Sequence, residues 1–273
     1  MEKYIACCLC VRNCSNFLSS IFNNLNLLSK EFKNFNVVFV YDNCTDNSDI
    51  LLEEYKNSAN YKVFVIHNID NNSKYRTIRI ANARNKCLDI VYNVLKNIDF
   101  HFMIDSDNVN IHKWNIPIIH KYLNKNDWDS ISFNRKNYYD IWALMYGKFK
   151  HHCWGFHDRD FIKKIINFRK NDISEKLKNL ENENDFECVS AFNGFAIYRT
   201  NKFKNIFYDG TYKNMKPLIS DLERHETLEY LKEQLNIDLK INDSCVECCE
   251  HLYYHLSAIK NNNCVIKISK DIL

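Results

Sequence analysis

The chain reads as an α/β protein with a mostly parallel sheet flanked by helices, in one continuous domain over 1–273. Short apolar runs recur through the first hundred positions, and longer segments with apolar residues at helical spacing separate them. The runs are apolar on both faces, as strands covered by helices on both sides must be.

Taken in order, Tyr4–Val11 predicts a strand and Phe17–Phe32 a helix, with Phe17, Leu18, Ile21, Leu25 and Leu28 on its apolar face. Asn36–Tyr41 is a second strand, and Ser48–Tyr55 a helix capped by Asp46 or Ser48. Lys62–His67 is a third strand, Thr77–Asn97 a long amphipathic helix, and Phe100–Ile104 a fourth strand. The second half is less regular. Trp128–Phe133, Asp140–Met145, Val189–Tyr198 and Ile237–Ile241 read as strands, and Ser220–Leu235 as a helix. The charged stretch 172–185 reads as an exposed helix or loop, and Cys249–His255 follows near the end. The division expected is a nucleotide-binding half, 1–112, and an acceptor-binding half, 113–273.

Composition narrows the class. With 37 basic and 34 acidic residues the net charge is +3, too balanced for a general nucleic-acid binder. The four Gly and two Pro exclude collagenous and Gly- or Pro-rich disordered chains. Asn and Lys are overused, as in Asn23-Asn24 and Asn71-Asn72, which reads as a coding bias such as that of a large virus or a protist. The apolar run at Tyr4–Val11 is strand-sized and lacks a cleavage site. A reducing cytoplasm (the host's, for a viral protein) is therefore expected. Most of the 12 Cys should then be free, with Cys7, Cys8 and Cys10 serving as small core residues.

Ligands of open parallel sheets bind beyond the carboxyl ends of the strands, and two of the predicted strands end in acids. Asp105-Ser106-Asp107 follows the fourth strand. Two carboxylates one residue apart can face a hard divalent cation whose remaining shell is phosphate and water. The plainer alternative is a polar turn capping 108–112. Asp42 follows the second strand, where it could accept hydrogen bonds from a base or ribose. Arg76 and Arg79 share a face at a helix start and Arg84 lies beside the apolar stripe of Ile80, Ala83 and Leu88. Helix starts favour anions, and Arg binds phosphate through paired hydrogen bonds. In the tail, Cys245, Cys248 or Cys249, His251 and His255 have zinc-like spacing. The alternatives are that His251 joins the metal held by the Asp pair, or that both histidines are structural.

The order of the motifs YDNCTDNS, RTIRIANARN, FMIDSDN, YYDIWALMYG, FNGFAIYRT and CCEHLYYH, across roughly 4 to 255, resembles one family. It is similar to GT-A glycosyltransferases related to fungal capsule-associated mannosyltransferases, with similar enzymes in large DNA viruses and bacteria. The resemblance implies a hexosyl- or deoxyhexosyltransferase using a nucleoside-diphosphate sugar, a glycan or glycoprotein acceptor, and Mn²⁺ or Mg²⁺. It implies that Asp42 holds the nucleoside and that Arg76, Arg79 and Arg84 lie near the donor. Asp105 and Asp107 would bind metal and sugar nucleotide, with His251 completing the metal shell. Trp142, Asn193 and Gly194 would line the acceptor side. Met145 stands where that family has a basic residue after Trp-Ala-Leu.

An inverting reaction needs a carboxylate base. The candidates are Asp221, Glu223, Glu247 and Glu250, of which Glu250 is favoured for its place beside His251; a retaining reaction needs none. Two other functions compete: a sugar-nucleotide nucleotidyltransferase, disfavoured because Arg12–Asn16 has no Gly-rich phosphate loop, and a non-catalytic zinc-binding interaction module. No nucleic-acid partner and no membrane span are expected.

Overall fold

The computed structural model describes residues 2–69, 71–153, 155–157, 160–181 and 184–273. Its strands are β1 (Tyr4–Val11), β2 (Asn34–Tyr41), β3 (Lys62–His67), β4 (Phe100–Asp105), β5 (Ser130–Asn134), β6 (Phe186–Cys188), β7 (Phe195–Arg199) and β8 (Ile266–Ile272). The α-helices are α1 (Ser15–Ser29), α2 (Ser48–Ser58), α3 (Arg76–Asp89), α4 (Ile116–Asn124), α5 (Ile162–Lys178), α6 (Tyr212–Met215), α7 (Asp221–Leu235) and α8 (Glu250–Asn262). The α/β class and the mostly parallel sheet flanked by helices are as the sequence predicts. Two compact units divide the chain: 1–126 with 194–207 and residue 273, and 127–193 with 208–272. The first unit thus runs past the expected division at 112/113 and takes back one later strand.

In the first unit the strand order is β3-β2-β1-β4-β7. The first four are parallel, and β7 runs antiparallel to β4. Ile5 through Leu9, including Cys7 and Cys8, are fully buried. Helix α1 packs Leu18, Ile21, Leu25 and Leu28 inward, and each such side chain contributes about 1.5–3 kcal/mol on burial. Truncating Leu25 to Ala would cost about 2–5 kcal/mol through the cavity it leaves.

Helix starts here are tied together by one acid. Asp46 accepts from the amides of Ser48 (3.0 Å) and Ser15 (3.0 Å), while the Ser48 hydroxyl accepts from Cys14 N (2.8 Å). Burial opposes ionisation of Asp46, but these bonds outweigh it and hold its pKa at about 2. The expected cap is therefore shared: Asp46 serves both α1 and α2, and Asn47 is the N-cap position of α2.

With only four glycines, asparagine supplies the left-handed backbone. Of seven non-Gly residues with positive φ among the described residues, six are Asn: 13, 97, 193, 205, 236 and 263. Asn tolerates this region better than other non-Gly residues. Lys96 (φ 55°) and Asn97 (φ 53°) stop the helical run of α3, which leaves the α-form at Asp89 and continues as a π-helical segment over Ile90–Leu95. The predicted Thr77–Asn97 helix is one segment with two hydrogen-bond patterns.

The second unit has the strand order β5-β8-β6, with β5 and β8 parallel and β6 antiparallel to β8. Two expected strands are absent. Asp140–Met145 forms turns with a single bridge, Met145 to Ser190, and Ile237–Ile241 has only the bridge from Ile241 to Phe156. Both segments are apolar mainly for burial rather than for pairing: Ile141, Ala143 and Leu144 are buried in the first, and Ile237 and Leu239 in the second. The Val189–Tyr198 strand begins only at Phe195. Residues 172–178 belong to α5, whose Ile173 and Leu177 are buried; 182–183 lie outside the described residues. The predicted Ser220–Leu235 helix is α7, and Ser220 is its N-cap, with a reciprocal capping box to Glu223.

Candidate functional site

The register of the first unit brings the candidate residues together. Val11 pairs with Tyr41 across β1 and β2, and Cys10 with Asp105 across β1 and β4. Asp42 and Asp105 therefore leave the same edge of the sheet two strands apart, about 10 Å at ordinary strand spacing. This edge is the carboxyl end of four parallel strands, where open α/β sheets bind ligands.

Asp105 is half-buried and pairs with Arg84, Nη2 to Oδ1 at 3.1 Å. Arg84 is itself buried, at 3% exposure, in the stripe of α3 with Ala83, Cys87 and Leu88, whereas Ile80 stays half-exposed. Asp107 is half-buried, and its Oδ1 accepts from Val109 N at 3.0 Å, capping the 3-10 turn Asn108–Asn110. The plain capping reading is thus correct for one oxygen of Asp107. Between the acids, Ser106 is buried and its hydroxyl lacks a hydrogen-bond partner among the described residues.

The turn is held from behind by two buried asparagines. Asn110 Nδ2 donates to the carbonyls of Asp105 and Gly194, both at 2.8 Å. Asn24, on α1, donates to the carbonyls of Asn110 (3.1 Å) and His112 (2.8 Å) and accepts from Trp114 N. Gly194, expected on the acceptor side, also accepts from Asp105 N at 2.9 Å. Its carbonyl is therefore part of the frame of the Asp105–Asp107 turn.

On β2's side, Asp42 Oδ1 accepts from Asn68 Nδ2 (3.0 Å) and Asn71 Nδ2 (2.9 Å). Tyr41 and His67 stack face to face, with ring centroids 4.6 Å apart, at the ends of β2 and β3. Arg76 is exposed at the first position of α3. Arg79 is half-buried and donates to Ser73 O.

The second unit treats its candidates differently. Asn193 is 1% exposed and sits at φ 54°. Its side chain accepts from the amides of Tyr139 (2.9 Å) and Asp140 (3.1 Å) and donates to Phe133 O (2.8 Å). It thereby fixes the start of the segment carrying half-buried Trp142. His251 is buried on α8, stacked on Phe192 at 3.9 Å and edge-on to Tyr208 at 5.3 Å. Glu250, the first residue of α8, is 5% exposed, with Oε1 at 3.8 Å from His251 Nε2. Of the rival bases, Asp221 pairs with Arg224 and Glu223 closes the capping box, so both have structural duties on α7.

Among the described residues, no group of three or more His, Cys, Asp or Glu side chains is disposed to hold a metal by itself. The Asp105–Asp107 turn still fits a hard cation: it offers half-buried carboxylates, and the second oxygen of Asp107 has no hydrogen-bond partner among the described residues. Such an ion would draw most of its shell from phosphate and water. All twelve cysteines are free thiols, and burial pushes Cys248 and Cys249 well above the usual thiol range. No helix among the described residues is long and apolar enough to cross a membrane.

The sequence reading missed Asn24, Asn68, Asn71 and Asn110, and also Arg169. Arg169 is 1% exposed on α5 and donates to Leu144 O at 2.9 Å. Its guanidinium lies 3.7 Å from the ring centroid of Phe149 and 4.9 Å from that of Tyr146. A cation thus reaches the segment in which Met145 is apolar.

No protein-family model matches the chain, and no curated protein matches it. Among solved structures it is similar to S. aureus TarS in complex with UDP-GlcNAc, at 15% identity and a TM-score of 0.48. That match covers 98% of this chain and 56% of that one. It is similar to M. tuberculosis glucosyl-3-phosphoglycerate synthase at 11% identity and 0.46, covering 86% and 68%. It is also similar to mannosyltransferase PcManGT from Pyrobaculum calidifontis in complex with GDP-Man and Mn²⁺, at 10% identity and 0.46, covering 77% and 48%. The chain spans little more than half the length of that TarS structure.

Proposed function

We propose that this chain is a GT-A type glycosyltransferase that uses a divalent metal to move a sugar from a nucleoside-diphosphate sugar to a hydroxyl of a glycan or glycoprotein. The supporting observation is the sheet edge of the first unit, where Asp42 follows β2 and Asp105 and Asp107 lie at the end of β4, two strands away across parallel β1.

Asp107 and Asp105 are the metal and diphosphate residues. Arg84 orients Asp105 through its 3.1 Å ion pair and supplies buried positive charge behind it. Arg76, exposed where the helix dipole favours anions, and Arg79 are placed toward the donor. Asp42 takes the nucleoside. Bound at the turn, Mn²⁺ or Mg²⁺ would neutralise the charge that develops on the leaving diphosphate. Trp142 is the acceptor contact, on a segment fixed by the Asn193 side chain, and Gly194 is proposed to line the same side. For an inverting reaction Glu250 is the base, a buried carboxylate with Oε1 at 3.8 Å from His251 Nε2. His251 is proposed as a further metal ligand.

The test is a thermal-shift series with UDP and GDP, each with and without Mn²⁺, on the parent and on Asp107→Ala. A ligand that binds only the folded state stabilises it as RT ln(1 + [L]/Kd), about 2.7 kcal/mol at a hundredfold excess over Kd. The parent should show a metal-dependent shift and the variant none. Equal shifts in both proteins would sink the assignment.

A further inference from the structure

The bonding of Asp42 carries information about the base, given that the first unit's rim is a nucleoside-diphosphate site. A carboxylate is an acceptor only, with about two lone pairs on each oxygen. Asp42 Oδ1 already receives two amide donors, Asn68 Nδ2 at 3.0 Å and Asn71 Nδ2 at 2.9 Å. Both asparagines are buried, at 2% and 8% exposure.

The orientation of Asn71 is fixed by its other bonds. Its Nδ2 also donates to Arg79 O at 2.8 Å, and its Oδ1 accepts from Asn82 Nδ2 at 3.1 Å. Reversing the amide would set an oxygen against the Arg79 carbonyl. The amine side of Asn71 must therefore face Asp42, and Oδ1 is saturated. Asp42 is left with Oδ2 as its acceptor for a ligand.

Bases differ in what they ask of a carboxylate. Guanine presents N1–H and an exocyclic N2–H side by side, a pair that needs both oxygens. Uracil presents one N3–H, which needs one. We propose that Asp42, with Oδ1 filled by Asn68 and Asn71, selects uracil over guanine, so that the donor is a uridine-diphosphate sugar. Guanine would leave one N–H opposite a saturated oxygen, and an unmade hydrogen bond at a partly buried site weakens binding. Asn68 and Asn71 are specificity-determining residues that act through Asp42.

The experiment is titration calorimetry of the full chain with UDP and GDP in the presence of Mn²⁺. UDP is expected to bind at least about tenfold more tightly. Equal affinities, or tighter GDP binding, would overturn the base assignment while leaving the diphosphate site standing. Binding of neither would remove the site reading, and the base assignment with it. Asn68→Ala, checked by circular dichroism, frees one lone pair of Oδ1 and should narrow the UDP:GDP ratio by at least about threefold. An unchanged ratio in a folded variant would refute the role given to the asparagines.

Discussion

The two units use the same residue types in opposite ways. In the first, polar and charged candidates follow strand ends, half-buried, at an edge aligned by parallel register. In the second, Asn193, Glu250, His251 and Arg169 are buried and engaged with backbone carbonyls, amides, rings or neighbouring side chains. The backbone thus delivers the first unit's candidates to a strand-end rim, while packing encloses those of the second. Variants of the second unit should accordingly act mainly on stability, and those of the first mainly on binding.

The largest stability loss is expected at Asn193. Its side chain makes three backbone bonds while its backbone sits at φ 54°. Asn193→Leu removes the bonds, orphans buried groups and adds strain, for about 3–5 kcal/mol. Urea unfolding measures it; a loss under about 1 kcal/mol would break the contrast between the units.

Next comes His251. Stacked on Phe192 and buried, it should cost about 2–4 kcal/mol on truncation to Ala. If it is also a metal ligand, as proposed, the Mn²⁺ requirement of activity must rise in the same variant. A stability loss with an unchanged Mn²⁺ requirement would leave it a core histidine and sharpen the contrast.

Acid should destabilise both units. Burial lowers the pKa of His101 to about 3 in the first unit and that of His151 to about 4 in the second. Both are neutral in the folded state at pH 7, whereas the unfolded chain takes up these protons as pH falls below about 6.5. Their contribution is complete above about pH 6.5 and is lost as pH falls toward the folded values. The slope is about 1.4 kcal/mol per pH unit for each group. A flat stability profile between pH 7 and pH 5 would contradict their burial.

The smallest effect is at the surface of α7. Ser220→Ala removes the capping box with Glu223 and should cost about 1 kcal/mol, without altering nucleotide binding.

The same contrast explains what could be read from the sequence. Strands apolar on both faces, alternating with helices, gave the first unit nearly element by element. Asp42 and the Asp105–Asp107 turn followed from the rule for strand ends. The apolar stretches at 140–145 and 237–241 looked like strands because burial without pairing has the same composition as burial with it. The asparagines were missed for another reason. In a chain this rich in Asn, Asn24 and Asn71 passed as compositional bias, although one braces the turn after Asp105 and the other donates to Asp42. Only their partners distinguish them, and those lie 86 and 29 positions away.

Asp105 and Asp107, at the end of β4, are proposed to hold a metal together with a diphosphate. Electron paramagnetic resonance of Mn²⁺, titrated into the parent with and without UDP, tests it most directly. Measured against protein-free controls with the same UDP, the free-ion signal should fall in proportion to protein when UDP is present, fall weakly without it, and match the controls for Asp107→Ala under both conditions. Nucleotide-independent binding that survives in Asp107→Ala would place the metal elsewhere and contradict the account.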